Sequence, residues 1–97
     1  MTEPRVIEGL TFQTASLPTA NSIILLIQGA KANLGCGYFS MAAAEKMKDR
    51  FAIVRGVSSI DELLAAPVAD LSPEAAACGV TVGMSGKEAL LLMEKND

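Results

Sequence analysis

At 97 residues with a net charge of −3, the chain is predicted to form a single domain over 1–97 and lacks the basic field that nucleic-acid binding needs. It contains no histidine, which removes Ser-His-Asp and Cys-His catalysis, an imidazole base and histidine-ligated zinc. Two cysteines cannot close a structural zinc site alone, so no metal and no cofactor is implied.

The composition is 51% hydrophobic and only 20% charged, more apolar material than so small a globule needs inside. A second copy of the same chain is the commonest cover for such a surplus, and a homo-oligomer is predicted. A membrane is not: the longest aliphatic run, Ile23 to Ile27, is far short of the roughly 20 residues that a spanning helix requires. The opening Met1–Gly9 segment has no apolar stretch behind a basic start, which makes the cytoplasm the expected compartment.

In chain order, Arg5 to Gly9 and Leu10 to Leu17 read as two strands joined by a Glu8-Gly9 hairpin turn. Ser22 to Gln28 is a continuous aliphatic run that suits a central strand covered on both faces, and Gly29 closes it. A turn at Lys31-Ala32-Asn33 leads into a short strand, Leu34 to Phe39. Ser40 is placed to cap a helix from Met41 to about Arg50. Met41, Ala44 and Met47 share one stripe of that helix, and Lys46, Lys48 and Arg50 collect near its end. Phe51 to Arg55 is a strand again, so the region forms a β-α-β crossover with parallel strands.

The last forty residues read as three helices. Capping boxes at Ser59/Glu62 and Ser85/Glu88 start the first and third, and Ser72-Pro73-Glu74 starts the second. Pro67 and Gly79 end the first two. The final helix, Lys87 to about Lys95, carries Ala89-Leu90-Leu91-Leu92-Met93 and is expected to be buried on more than one side. The predicted fold class is therefore α+β: an antiparallel meander plus one β-α-β crossover in a mixed sheet, with the C-terminal helices on one face.

Three blocks stand out together: Gly35-Cys36-Gly37-Tyr38-Phe39, Arg55 through Pro67, and Gly79 with Gly83-Met84-Ser85-Gly86-Lys87-Glu88-Ala89-Leu90. The combination resembles the YunC-like family of small bacterial and archaeal proteins, a domain-of-unknown-function family, over nearly the whole chain. The resemblance implies a small α+β domain and self-association, and it supplies no activity. The family often carries an aspartate where this chain has Ser40, which can replace an acid as a helix cap but not as a base.

Cys36 is the sharpest site candidate. Gly35 and Gly37 permit close approach, the following helix start would stabilise a thiolate, and Arg55 could add a positive charge. Tyr38 and Gly56 belong to the same neighbourhood. The competing role for Cys36 is packing, and the burial habit of free cysteine favours the core. Ser85-Gly86-Lys87 offers hydroxyl, glycine and lysine at a helix start, a weak anion-binding pattern that local capping also explains. The leading reading is a cytosolic homo-oligomer that binds a partner or small ligand whose identity the residues do not name. The alternative is a thiol-dependent or anion-handling enzyme using Cys36 and Arg55.

Overall fold

The computed structural model describes residues 2–96. Its six strands form one sheet in sequence order, from β1 (Thr2–Ile7), β2 (Leu10–Pro18) and β3 (Ile23–Gln28) to β4 (Ala32–Gly35), β5 (Arg50–Val54) and β6 (Val68–Leu71). All neighbours pair antiparallel except β4 and β5, which run parallel. Helix α1 (Met41–Met47) joins that parallel pair, and α2 (Ile60–Ala65), α3 (Pro73–Ala77) and α4 (Gly86–Lys95) follow. The α+β architecture expected from the sequence is the one observed.

The β1–β2 turn forms at Glu8 and Gly9, with φ of 47° and 83°. Two successive positive φ values give the turn twist that matches a right-handed hairpin.

Cross-strand register divides the sheet into two faces. Phe12, Leu25, Ile27, Leu34, Ala52 and Val54 share one and are all buried. Helices α2 and α4 cover this face. Gly86, Ala89, Leu90 and Met93 of α4 form a single buried stripe, with Leu91 and Leu92 only half-buried. The last helix is thus amphipathic and not buried all round, because the sheet lies on one side of it alone.

The opposite face is covered only at one end. Here α1 lies against β5, where Ala44 and Ile53 are buried outside the main cluster and the Phe39 and Phe51 rings sit 5.5 Å apart. Over β1–β3 this face holds Val6, Ala15, Leu17, Ile24 and Leu26, none of them buried. The β3 run is consequently covered on one face and partly open on the other, not enclosed as its composition suggests.

Four further expectations are corrected. The strand predicted at Leu34–Phe39 lies at Ala32–Gly35, because the Phe39 N–H turns back to the Cys36 carbonyl and breaks the ladder. The first helix ends at Met47: Lys48 adopts φ 59°, a left-handed cap whose N–H bonds back to the last turn. Arg50 therefore belongs to β5, and its guanidinium donates to the Met93 and Asn96 carbonyls at the α4 C-terminus, where a cation complements the helix dipole. Strand β6 interrupts the last forty residues, predicted to be helical, because Val68–Leu71 pairs antiparallel with β5.

Ser59, Ser72 and Ser85 each accept the expected capping bond from the third residue on. Ser40 makes no side-chain cap bond. Ser72 does more than cap. Fully buried, its hydroxyl donates to the Asp49 carbonyl at 2.7 Å and accepts from the Phe51 N–H at 3.0 Å, tying α3 to the start of β5. No helix among the described residues is long and apolar enough to cross a membrane.

Candidate functional site

The parallel pair β4–β5 ends on one edge of the molecule. After β4 the chain leaves towards α1 on one face of the sheet, and after β5 it leaves towards α2 on the other. Diverging connections open a crevice beyond the carboxyl ends of the strands, the place where ligands enter open α/β sheets. A hollow of about 330 Å³ occurs there, lined by Ser22, Ile23, Cys36, Gly37, Tyr38, Gly56 and Val57.

Four residues singled out in the sequence, Cys36, Gly37, Tyr38 and Gly56, thus meet at one crevice. Arg55 joins them from the side: its Nη1 and Cγ lie 3.6 and 3.7 Å from the position a Gly37 Cβ would occupy. The guanidinium is exposed and makes no ion pair or hydrogen bond with any described residue. Gly35 faces elsewhere, against the Phe39 and Phe51 rings beneath α1.

Cys36 is 4% exposed. Its Sγ accepts from the Leu25 N–H at 3.3 Å and lies 4.0 Å from the Ile23 carbonyl, so the thiol is tied to the backbone of β3. It forms part of the crevice wall while serving as a packed strand neighbour. Tyr38 is the opposite case, 55% exposed, with its hydroxyl 3.3 Å from the Thr19 Oγ1. Thr19 in turn accepts from the Ser22 N–H at 2.8 Å, fixing the β2–β3 turn that forms the near wall.

The far wall is held by Glu62. Its carboxylate accepts the Ser58 N–H at 2.7 Å and the Ser58 hydroxyl at 2.9 Å, anchoring the loop that carries Gly56 and Val57. Those two bonds, the backbone one foremost, hold the Glu62 carboxyl below its usual range against a slight opposing effect of desolvation.

Ser85, Gly86 and Lys87 are not at this crevice. Ser85 caps α4 and Lys87 pairs with Glu8 at 3.3 Å. Several amides around it are engaged within the protein: Gly83 N–H on Val68, Met84 N–H on Thr81, Gly86 N–H on Ala66 and Glu88 N–H on the Ser85 hydroxyl. Gly86 itself packs against the Leu63 backbone of α2 and the Leu34 side chain of β4.

Two larger hollows occur. One, about 520 Å³, lies on the outer turns of α4 along Leu91, Leu92 and Lys95. The other, about 570 Å³, lies between the β1–β2 hairpin and α2, where Arg5 is already paired with Asp61. Neither gathers chemistry comparable to the strand-end crevice. Nothing in the sequence marks Ser22, Ile23 or Val57 as site residues. The signal for the first two was the antiparallel β3–β4 pairing, which sets the start of β3 beside the residues following β4.

Comparison with known proteins agrees with this architecture. Residues 35–93 match the family described as Domain of unknown function (DUF1805), beginning at the crevice and ending in α4. The chain is 34% identical over 96 residues, 95% of each chain, to "Uncharacterized protein YunC" of Bacillus subtilis (strain 168). It also superposes with a TM-score of 0.91 and 28% identity on the crystal structure of TA1206, a protein of unknown function from Thermoplasma acidophilum, covering 96% of this chain and 91% of that one. By family match and by relative alike, this chain belongs to the DUF1805 family, as a YunC-like α+β domain.

Proposed function

We propose that the protein is a cytoplasmic, self-associating binding module that takes a small ligand at the β4–β5 crevice. One observation carries the ligand site: the chain diverges to opposite sheet faces at the ends of two parallel strands, and Cys36, Gly37, Tyr38 and Gly56 converge there. A binding role fits better than thiol catalysis, because Cys36 is buried and engaged with the β3 backbone. The free, buried state of both cysteines suits a reducing compartment. The test is amide mapping by two-dimensional NMR with a small-fragment library. Perturbations should cluster on Ser22, Gly37, Tyr38 and Gly56. Hits confined to Leu91 and Leu92 on α4, or to the β1–β2 hollow, would overturn this assignment.

Self-association draws on the open sheet face. Across β1–β3 that face bears no charged side chain, while Val6 is 67% and Leu17 50% exposed. A two-fold interface sets a patch against itself, so charged residues near the axis would meet their own copies; an uncharged apolar face avoids this. Met47 on α1 is also exposed, at 70%. In sedimentation velocity at micromolar concentration the wild type should exceed the 10.1 kDa monomer mass. Leu17→Glu should weaken association at least about tenfold by burying an unpaired charge. A wild type that sediments as a monomer would remove the oligomer from the reading.

A further inference from the structure

We propose that the ligand of the β4–β5 crevice is a small organic monocarboxylate, with Arg55 as its anion partner. This rests on the reading of the crevice as a binding site and adds the chemical class.

Charge comes first. Arg55 lies across Gly37 at the crevice rim, and its guanidinium is unpaired among the described residues. None of the seven residues lining the hollow is an aspartate, glutamate, lysine or arginine. The crevice therefore presents one uncompensated positive charge. A planar guanidinium fork matches a carboxylate in shape as well as sign, whereas a phosphate dianion would keep a charge unneutralised.

Hydrogen-bond capacity points the same way. The amides of Gly37, Tyr38, Gly56 and Val57 donate to no acceptor among the described residues. The Ser22 and Tyr38 hydroxyls add further donors at the rim. Donors around a single cation suit an acceptor-only group, and an ionised carboxylate is one.

The remaining wall sets the body of the ligand. Ile23, Val57 and the buried Cys36 are apolar, and about 330 Å³ admits an aliphatic chain of a few carbons. Gly37 leaves room between that wall and Arg55: a side chain there would fill the space beside the guanidinium.

The test titrates the full chain with pentanoate, its neutral isostere pentanamide, and inorganic phosphate, following amide resonances. Pentanoate should shift Gly37, Tyr38 and Gly56, and Arg55→Gln should weaken it about tenfold or more, the loss expected for a charge-assisted fork. Pentanamide should bind at least about tenfold more weakly than pentanoate, and phosphate should not compete with it. If pentanamide binds at the crevice as well as pentanoate, or Arg55→Gln leaves affinity unchanged, the carboxylate class is wrong while the crevice stands as a site. Phosphate binding equal to pentanoate also overturns the class. If pentanoate shifts only resonances elsewhere, both the class and its location fall. Arg55 is exposed at a strand end, so the folded spectrum of the variant serves as the internal control.

Discussion

Gly86→Ala should destabilise the fold by about 3 kcal/mol or more, lowering the melting temperature by roughly 12 °C at least. Helix propensity alone predicts the opposite sign, since alanine is favoured over glycine inside a helix by about 1 kcal/mol. The difference lies in what a Cβ would meet. It would overlap the Leu63 carbonyl oxygen at the end of α2 and come within 3.0 Å of a Leu34 methyl on β4. Backbone cannot swing aside as a flexible side chain can, so α4 must withdraw. Ala89, Leu90 and Met93, all fully buried, would withdraw with it. Lys87→Ala, one residue on and exposed, should change stability by no more than about 0.5 kcal/mol. Denaturant unfolding of both variants decides the matter. A Gly86→Ala protein as stable as wild type would mean that α4 does not approach α2 this closely, and would reopen the glycine turn to other roles.

That result would also bear on how much of this molecule can be read from its residues. Capping serines were legible because their information is local: Ser59, Ser72 and Ser85 each lie three residues before the amide they bind. The crossover was legible for a similar reason, a helix-period segment between two short apolar runs. Strand β6 was not, because Val68-Ala69-Asp70-Leu71 has no strong alternation and exists by pairing with β5. The sequence overstates the length of α1 because the charged residues Lys48 to Arg50 read as a helix end, whereas Arg50 reaches to the terminus of a different helix. The candidate site divides along the same line. Residues near Cys36 and Gly56 could be flagged by their glycines, but only the sheet order reveals that the two loops face each other. Ser85-Gly86-Lys87 lies away from that crevice for a reason no motif carries: the Gly86 amide is held by the distant Ala66 carbonyl, and Lys87 pairs with Glu8.

Glu94→Gln should cost about 2 kcal/mol at neutral pH, and that cost should shrink in acid. Nothing near Glu94 in the sequence marks it out, yet its carboxylate accepts the N–H groups of Ala30 and Lys31 at 2.8 Å and of Ala32 at 3.0 Å. It thereby holds the β3–β4 turn against the last turn of α4. Gly29 is pressed so closely on this carboxylate that a Cβ there would lie 2.5 Å from an oxygen. Burial alone would raise the Glu94 pKa; the amides of Lys31, Ala30 and Ala32, aided by the Lys31 charge, outweigh it and leave the carboxyl below its ordinary range. A folded-state pKa below the unfolded one contributes stability that is fully present above the unfolded value, about 4.3, and is lost as pH falls through the lowered one. Glutamine keeps one acceptor oxygen but turns an N–H₂ towards backbone donors, and it cannot titrate. The wild-type advantage measured by denaturant midpoint should therefore be largest near neutrality and decline below about pH 4. Other acids, Glu62 among them, titrate equally in both proteins and cancel in the difference. An advantage that stays constant into acid would mean the carboxylate charge plays no part in holding the turn. The consequence reaches the crevice, because the turn at residues 29–32 sets the start of β4, and the end of β4 is where Cys36 joins the wall.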